Sequence, residues 1–412
     1  MRSMMIQGMD PFSALVLPTG HQALTCSANC SWAPFVRTGA ILGHMHNLFT
    51  KLGLMLVLVQ SHVPGSIRAQ DIQGIDSLFS ALEERQGFNG NVILQQNGQV
   101  IYERSMGLAD VEAGIPLDGL SVFELASSGK CYTAAAIGML KDDGRLDFDD
   151  PVVQHLPGFP FPDISLRHLL NHVSGLPDYM EHFDAHGEPG GLACNRDVLD
   201  FLALEGTTRQ FAPGDSFRYS NTGYVVLASV VEQVSGFTFD QFLQKRVFLP
   251  LGMERSLAFT LAYHPLISVH GYAYGHLKDE QGNVTATNKS PATLEVYRWG
   301  LRPVQGDGNI IGSVRDHATF INALVHGELL RPRTWQEMTT SGRTNDGRPT
   351  GYGFGLYVPE GGKEFGHTGN VPGYQTFFRH LNAQDVTLVY ARNVESWDWS
   401  WFAQLNELLE KH

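Results

Sequence analysis

The sequence has few cysteines, few basic residues and no long apolar run. Four cysteines in 412 residues do not make a disulfide scaffold. Lysine and arginine number 29 against 42 acidic residues, which gives a formal net charge of -13. Because phosphate binding requires a basic patch, this balance argues against nucleic acid as a partner. With 43% hydrophobic and 10% aromatic residues, the chain can fill the core of one large domain or two closely packed ones.

The chain from Met45 onward has the layout of a secretory signal peptide, with a basic start, a short apolar run and a small residue before a possible cleavage point. The apolar run is shorter than the roughly 20 residues that a membrane-spanning helix needs. We therefore expect residues 1–44 to be an upstream extension, residues 45–69 a signal peptide and residues 70–412 the mature, secreted or periplasmic chain. An organelle transit peptide is the alternative, because Asp10 is the only acidic residue before position 71.

The apolar pattern predicts an α+β protein with an antiparallel sheet built from both ends of the chain and flanked by helices. Two β-rich runs flank residues 97–98, an Asn-Gly turn pair. A mainly helical region over about residues 150–300 is expected to be inserted between the terminal strands. Four later β-like runs predict an antiparallel meander over residues 351–358, 363–369, 373–381 and 385–393. Helices are predicted at residues 71–86, 127–141, 164–171, 224–234, 397–409 and in a stretch after residue 313.

A serine and a lysine stand three positions apart at the start of a predicted helix, in SSGK at residues 127–130. Positions i and i+3 share one face of a helix. A serine hydroxyl needs a base to remove its proton, and a lysine can be that base when burial or a neighbouring cation lowers its pKa. The spacing favours Ser127 over Ser128 as the nucleophile, with Lys130 as its base. Because the pattern is common, a helix start with a solvated lysine is the structural alternative.

Two further short motifs carry polar groups that such a reaction needs. Tyr219 and Asn221 belong to YSN, where a tyrosine can relay protons and an asparagine offers a donor and an acceptor to a substrate amide. His367 begins HTG at the end of a predicted strand, and it could bind a substrate carboxylate or help a proton move. A main-chain N–H two or three residues later would complete an oxyanion hole with the N–H of Ser127. Taken singly, these motifs also fit a helix-capping loop and a structural histidine.

Two other kinds of site have weaker support in the sequence. His168 and His172 have the i, i+4 spacing of zinc ligands on a helix, but Leu169 stands where a metalloprotease needs a glutamate. His172 is expected to brace the loop that follows it. The Gly-x-Ser-x-Gly nucleophile elbow is absent, which argues against an α/β-hydrolase. No metal and no organic cofactor are expected.

The three motifs and four longer segments together resemble the serine β-lactamase and penicillin-binding superfamily. The resemblance is to its branch of class C β-lactamases, D-alanyl-D-alanine carboxypeptidases, D-aminopeptidases and related esterases. It runs from about residue 75 to the C-terminus. The longer segments that carry it are LLNHVSGLP at residues 169–177, YSNTGYVVLASVVEQVSG at 219–236, PLGM at 250–253 and GDGNIIGSVRD at 306–316.

The resemblance implies a role for each motif residue. Ser127 would be the acylated nucleophile and Lys130 its base or base partner, with Tyr219 relaying protons. Asn221 would hold the acyl side chain, and His367 takes the place of the lysine or histidine in the third motif. The residues expected to bind substrate are Asn221, Thr368, Gly369 and Asn370, with the N–H groups of Ser127 and Asn370 forming the oxyanion hole.

Two positions depart from the pattern of the family. β-Lactamases of this branch normally carry Lys-Thr-Gly, whereas this chain has a histidine at position 367. Peptidase and esterase members are closer to this chain at that point, which lowers the expectation of efficient antibiotic hydrolysis. Asn309 stands where the family usually has a second glycine.

The sequence therefore predicts a secreted or periplasmic serine hydrolase that acts through an acyl-enzyme on amide or ester bonds. The expected substrates are D-amino-acid peptides, other short peptides or small esters. One alternative is a β-lactamase that hydrolyses β-lactam antibiotics. The other is a non-catalytic module that binds cell-wall fragments or β-lactams. No nucleic acid partner and no membrane span in the mature chain are expected, and the sequence leaves the oligomeric state open.

Overall fold

The computed structural model describes residues 67–187, 193–259, 271–278, 284–286, 303–394 and 401–410. The predicted upstream extension and nearly all of the predicted signal peptide lie outside these residues, so both stay predictions. Within the described ranges, no helix is both long enough and apolar enough to cross a bilayer.

A five-stranded antiparallel sheet joins the two ends of the chain, as the sequence predicted. Its strand order is β10-β11-β12-β1-β2, so that a strand from the N-terminal part pairs with the last strand of the chain. The main strands are β1 (Gly90–Gln96), β2 (Gln99–Met106), β10 (Glu364–Val371), β11 (Tyr374–Leu381) and β12 (Val386–Arg392). Short strands are β3 (Leu108–Asp110), β4 (Ile115–Pro116), β5 (Phe123–Glu124), β6 (Ser256–Ala258), β7 (His276–Lys278), β8 (Val284–Ala286) and β9 (Ile310–Gly312).

The turn between β1 and β2 is the one that the Asn-Gly pair predicted. Asn97 and Gly98 both have positive φ, 50° and 72°, as a two-residue type I′ hairpin requires. β1 lies between β2 and β12, and all seven of its residues are buried.

Helices cover both faces of the sheet. Val92 and Leu94 face the helices at the two ends of the chain, whereas Ile93 between them belongs to the larger core on the other side. The helices are α1 (Ala69–Gln86), α2 (Lys130–Asp142), α3 (Val152–His155), α4 (Leu166–Leu170), α5 (Tyr179–His186), α6 (Asn195–Leu202), α7 (Asn221–Ser235), α8 (Phe239–Leu243), α9 (Val314–Val325), α10 (Pro332–Met338) and α11 (Phe402–Glu410).

The helical insertion is confirmed between α3 and α8, whereas the described elements between residues 250 and 312 are the short strands β6 to β9. Its centre is α7, which is buried along most of its length. Ser220 caps the start of this helix by accepting a hydrogen bond from the N–H of Gly223, and Gly236 ends it in a left-handed conformation. Consequently, the segment with Tyr219 and Asn221 is fixed at the buried start of a long helix.

The predicted meander has three strands instead of four. Residues 351–358 form a looped segment in which Tyr352 and Tyr357 make an isolated bridge. Gly351 and Gly355 have φ values of 71° and 69°, which interrupt the extended backbone of a strand. The alternation of aromatic and small residues therefore wrongly predicted a strand here.

Candidate active site

Ser127 lies in a short turn between a strand and a helix. β5 leads into a 3₁₀ turn at Ala126–Gly129, and α2 begins at Lys130. The predicted helix over residues 127–141 is therefore present, with 3₁₀ geometry in its first turn and α geometry from Lys130 onward. Ala126 has a φ of 48°, a left-handed value that is uncommon for alanine. This turn leaves Ser127 partly exposed while the three residues after it are buried.

Lys130 is fully buried beside this serine. Its Nζ lies 3.2 Å from Oγ of Ser127, 2.8 Å from Oδ1 of Asn221 and 2.5 Å from the main-chain oxygen of Asp307. Burial lowers the pKa of Lys130 to about 8, against the opposing effect of the Asp307 and Asp178 carboxylates. A substantial fraction of the side chain is consequently neutral at mildly alkaline pH, as a proton acceptor must be.

Tyr219 lies over the same lysine. The centre of its ring is 4.8 Å from Nζ of Lys130. Among the described residues, its buried hydroxyl has no hydrogen-bond partner. Burial raises the pKa of Tyr219 well above its usual range, although the neighbouring Ser127 hydroxyl has the opposite effect. The phenol therefore stays protonated, and its hydroxyl can form a hydrogen bond with a group that occupies the site.

His172 holds the segment on either side of Tyr219. Its Nδ1 accepts a hydrogen bond from the N–H of Ser220 at 3.1 Å, and its main-chain oxygen accepts one from the N–H of Arg218 at 2.9 Å. Its ring packs 4.3 Å from the ring of Tyr219. Its backbone has a φ of 58°, an uncommon value for histidine. His172 therefore braces the segment that carries Tyr219, whereas the sequence predicted that it would brace the loop that directly follows it.

β10 passes directly beside the turn that carries Ser127. A Cβ atom at Gly369 would overlap the main-chain oxygen of Leu125 and Oγ1 of Thr376. Only glycine lets the main chain of β10 come this close to the main chain of the turn. This approach places Asn370 at the wall of the cavity next to Ser127.

His367 is almost fully buried, and the centre of its ring lies 6.2 Å from that of Tyr219. Its Nε2 accepts a hydrogen bond from the hydroxyl of Tyr352 at 2.9 Å, and its Nδ1 donates to the main-chain oxygen of Thr368 at 2.5 Å. Burial and the charge of Lys130 lower the pKa of His367 to about 3. The imidazole is therefore neutral, and both of its nitrogens are occupied within the protein.

Strand alternation separates Thr368 from the other two residues of its motif. Thr368 pairs with Phe377, whose ring is 4.9 Å from the ring of Phe402 in α11. Its side chain thus lies on the face of the sheet opposite Gly369. Of the eight residues selected from the sequence, the structure places Lys130, Tyr219, Asn221 and Asn370 around Ser127. The ring of His367 packs 6.2 Å from that of Tyr219, Thr368 lies on the opposite face of the sheet, and Gly369 makes room for the turn.

A cavity of about 130 Å³ opens beside Ser127. The residues that line it mix acidic, amide, aromatic and aliphatic groups. They are Glu124, Ala126, Ser127, Tyr179, Met180, Asn221, Phe259, Val304, Asp307, Gly308, Asn309, Ile311, Asn370 and Val371.

Four polar residues of this region were not selected from the sequence. They are Glu124 and Asp307 on the cavity wall, Tyr179 with its hydroxyl on the Asp307 carboxylate, and Tyr352 behind His367. Asp307 belongs to the glycine-rich segment that carried the resemblance, but nothing in the sequence pattern brings it to Lys130. The contact depends on how the segment before β9 packs against α2.

The histidine pair that has zinc-ligand spacing does not form a metal site. Nδ1 of His168 accepts a hydrogen bond from the N–H of Ser165, while His172 lies beyond the end of α4. No group of three or more histidine, cysteine, aspartate or glutamate side chains suited to a metal ion occurs within the described part of the chain.

Comparison with known proteins identifies the family of the chain. A family model described as Beta-lactamase matches residues 75–406. Penicillin-binding protein 4* of Bacillus subtilis (strain 168) is 36% identical over 326 residues, which cover 78% of this chain and 71% of that protein. Esterase EstB of Burkholderia gladioli is 30% identical over 311 residues, which cover 68% of this chain and 78% of that protein.

The fold is also found among solved structures. A penicillin binding protein from Bacillus halodurans matches with a TM-score of 0.68 and 26% sequence identity, over 80% of this chain and 98% of that chain. The resemblance inferred from the motifs and the α+β fold class are thereby confirmed. The chain belongs to the β-lactamase family, and it is a serine hydrolase of the acyl-enzyme type.

Proposed function

We propose that Ser127 is the nucleophile of this hydrolase and that Lys130 is its base. The observation that carries the proposal is the 3.2 Å contact between Oγ of Ser127 and the buried Nζ of Lys130. A serine hydroxyl that faces a cavity, beside an amine whose pKa is lowered to about 8, is arranged for proton removal at mildly alkaline pH.

The proposed acylation proceeds in two steps. Lys130 takes the proton of Ser127, directly or through the hydroxyl of Tyr219, while Oγ forms a bond to the carbonyl carbon of an amide or ester. The main-chain N–H groups of Ser127 and Asn370 would bind the resulting oxyanion. Its collapse breaks the bond to the leaving amine or alcohol, which takes the proton back through Tyr219. An ester remains on Ser127, and water hydrolyses it to release the acid.

The proposed substrates are D-amino-acid peptides, other short peptides or small esters. Support comes from family membership and from the cavity beside Ser127, which has room for a small acyl group. Asn221 would serve two purposes, since its Oδ1 accepts from Lys130 and its side chain lines the cavity. The competing functions are β-lactam hydrolysis and binding without turnover. No particular contact among the described residues favours either of them.

We also propose that the chain is exported, with residues 45–69 removed and residues 70–412 forming the hydrolase. The basic start, short apolar run and small residue before position 70 support this proposal. N-terminal sequencing of the secreted product tests it. A mature start far from residue 70 would contradict it.

Intact mass spectrometry of the purified protein after brief incubation with a penicillin tests the nucleophile. We expect an adduct with wild type and none with Ser127→Ala. Ser128→Ala is the matched control, because the Ser128 hydroxyl is buried against Oγ1 of Thr376 at 3.1 Å. Consumption of penicillin without an adduct would indicate a β-lactamase. Turnover of an activated ester by Ser127→Ala at the wild-type rate would overturn the mechanism.

A further inference from the structure

A buried aspartate shares the small cavity with Ser127. The side chain of Asp307 is only 6% exposed, and it lines the cavity wall together with the serine. The proposed acylation gives this carboxylate no role, because Lys130 and Tyr219 move the proton of Ser127. A carboxylate that is removed from water costs free energy unless a cation or hydrogen-bond donors compensate it. Its position beside the nucleophile therefore needs an explanation.

Two contacts hold Asp307 close to the reacting serine. Nζ of Lys130 donates both to Oγ of Ser127 at 3.2 Å and to the main-chain oxygen of Asp307 at 2.5 Å. The hydroxyl of Tyr179 donates to Oδ2 of the Asp307 carboxylate at 2.8 Å and fixes the orientation of that side chain. A carboxylate has about four lone-pair sites, so this bond leaves acceptor capacity for a molecule in the cavity.

The surroundings of Asp307 make it a stronger base than an aspartate in water. Burial raises the pKa of its carboxyl, although the charge of Lys130 and the hydrogen bond from Tyr179 oppose this rise. The nearby Asp178 carboxylate adds to the raised pKa. A base of raised pKa accepts a proton more readily. Neither Lys130 nor Tyr219 is among the described residues that line the cavity, so a water molecule held there would contact Asp307 and not the base of the acylation step.

We propose that Asp307 is the general base that activates water for hydrolysis of the ester on Ser127. Its carboxylate takes a proton from a water molecule in the cavity while the water oxygen forms a bond to the carbonyl carbon of the ester. Collapse of the tetrahedral intermediate then breaks the bond from that carbon to Oγ of Ser127, and Oγ takes the proton from the Asp307 carboxyl. The acid leaves, and both side chains return to their starting state. This inference rests on the proposed acyl transfer to Ser127.

The lifetime of the acyl-enzyme tests this role. Wild type and Asp307→Asn are mixed with excess p-nitrophenyl acetate, and the release of p-nitrophenolate and the acetyl adduct on Ser127 are followed. The amide keeps an oxygen that can accept from Tyr179, but it cannot take a proton from water. We expect hydrolysis of the acetyl-enzyme to slow by about 10²–10⁴-fold, the usual contribution of a general base, so that the adduct accumulates after a stoichiometric burst. Turnover at the wild-type rate without an adduct would overturn the proposal.

Asp178→Asn is the matched control for charge near the lysine. Both Asp307 and Asp178 raise the pKa of Lys130, but Asp178 is not among the described residues that line the cavity. Both variants should therefore lower the pH at which acylation becomes fast, whereas only Asp307→Asn should prolong the life of the acetyl-enzyme. Equal slowing of its hydrolysis in both variants would show that the effect passes through Lys130 and would overturn the proposal. Accumulation in Glu124→Gln but not in Asp307→Asn would also overturn it, because Glu124 is another carboxylate on the cavity wall.

Hydroxylamine separates the loss of a base from damage to the site, because it attacks esters without the help of a general base. We expect it to release the acetyl group from Asp307→Asn as the hydroxamate, at a rate close to that for wild type. Tyr179→Phe removes a donor that lowers the pKa of Asp307, so acyl-enzyme hydrolysis should begin to fail at a higher pH on the acidic side. Failure of either expectation would contradict the role of Asp307. Absence of Ser127-dependent turnover in the wild type would instead refute the acyl-enzyme mechanism itself.

Discussion

The hydroxyl of Tyr352 donates a hydrogen bond to Nε2 of His367 at 2.9 Å. Tyr352 comes from the looped segment that precedes β10, and its ring also packs 4.5 Å from that of His172. The two histidines and this tyrosine therefore form one buried layer behind the ring of Tyr219. In this layer both ring nitrogens of His367 are bonded within the protein, to Tyr352 and to the main-chain oxygen of Thr368.

His367 should remain neutral across the working pH range, because burial lowers its pKa to about 3. Long-range ¹H–¹⁵N spectra, assigned with His367→Gln, should show one tautomer from pH 5 to 9, with the proton on Nδ1. Tyr352→Phe removes the donor to Nε2, so we expect it to raise the pKa of His367. A transition with a midpoint near pH 6.5 in the wild-type protein would contradict this prediction.

The dependence of kcat/KM on pH should follow the charge of Lys130. Its neutral form is the base, and its pKa is lowered to about 8, so kcat/KM should rise as pH increases through about 8. Asn221→Asp puts an anion beside Nζ and should move this rise upward by about one unit or more. Asp178→Asn removes an anion that raises the pKa of Lys130, and it should move the rise downward.

Each of these two variants is a control for the other. Asn221→Asp replaces an amide with a carboxylate near Nζ of Lys130, and Asp178→Asn replaces a carboxylate with an amide. Asn is as good a helix N-cap as Asp, so Asp178→Asn should preserve the start of α5. The measurement is kcat/KM on a neutral activated ester from pH 6 to 10. Shifts in the same direction for both variants, or no shift in either, would show that another group controls the profile.

The spacing of SSGK predicted the central contact of the site, and the structure explains why that worked. A 3₁₀ turn, like an α-helix, brings residues three apart to one side, so Ser127 and Lys130 meet although the turn is not α-helical. Likewise, the Asn-Gly pair encodes its own turn through two positive φ values. Contacts and turns that involve residues only a few positions apart could therefore be predicted from the sequence.

The remaining features depend on contacts between distant segments. The motif HTG did not reveal that His367 bonds to Tyr352, because Tyr352 belongs to a run that was predicted to be a strand. Glycines with positive φ turn that run back on itself. Nor does the sequence show that Asp307 reaches Lys130 across 177 positions. Such pairings follow from packing of whole elements, which no local pattern encodes.

Gly369→Ala should disturb both stability and activity. A Cβ there overlaps the main-chain oxygen of Leu125, so β10 must move away from the turn that carries Ser127. Overpacking of this kind costs about 1–3 kcal/mol of the free energy of unfolding. Gly223→Ala is the matched control, because its Cβ meets Leu169 atoms no closer than 3.6 Å.

The control should gain about 0.5–1 kcal/mol from the better helix propensity of alanine within α7. Urea unfolding gives the free energies of both variants, and kcat/KM on an activated ester gives their activity. If Gly369→Ala were as stable and active as wild type, the close approach of β10 to Ser127 would not be required for the site.

His172 should act on catalysis through Tyr219, which it holds by two hydrogen bonds to the flanking residues and by ring packing. His172→Phe keeps a ring of similar size but leaves the buried N–H of Ser220 without its acceptor. A buried unsatisfied donor costs about 1–3 kcal/mol. We expect the segment around Tyr219 to shift and kcat/KM to fall by about tenfold or more.

A double-mutant cycle separates positioning from general destabilisation. If His172 works by placing the Tyr219 hydroxyl, His172→Phe should cost little further activity in a Tyr219→Phe background, while its effect on unfolding stays the same in both backgrounds. His317→Phe is the control, since that histidine is equally buried but bonds to Tyr132 at 3.0 Å. Its effect on kcat/KM should be independent of Tyr219. Independent effects of His172→Phe and Tyr219→Phe on kcat/KM would instead mean that His172 stabilises the fold without orienting the tyrosine. A residue that acts only by positioning the Tyr219 hydroxyl has no effect on activity once that hydroxyl is removed.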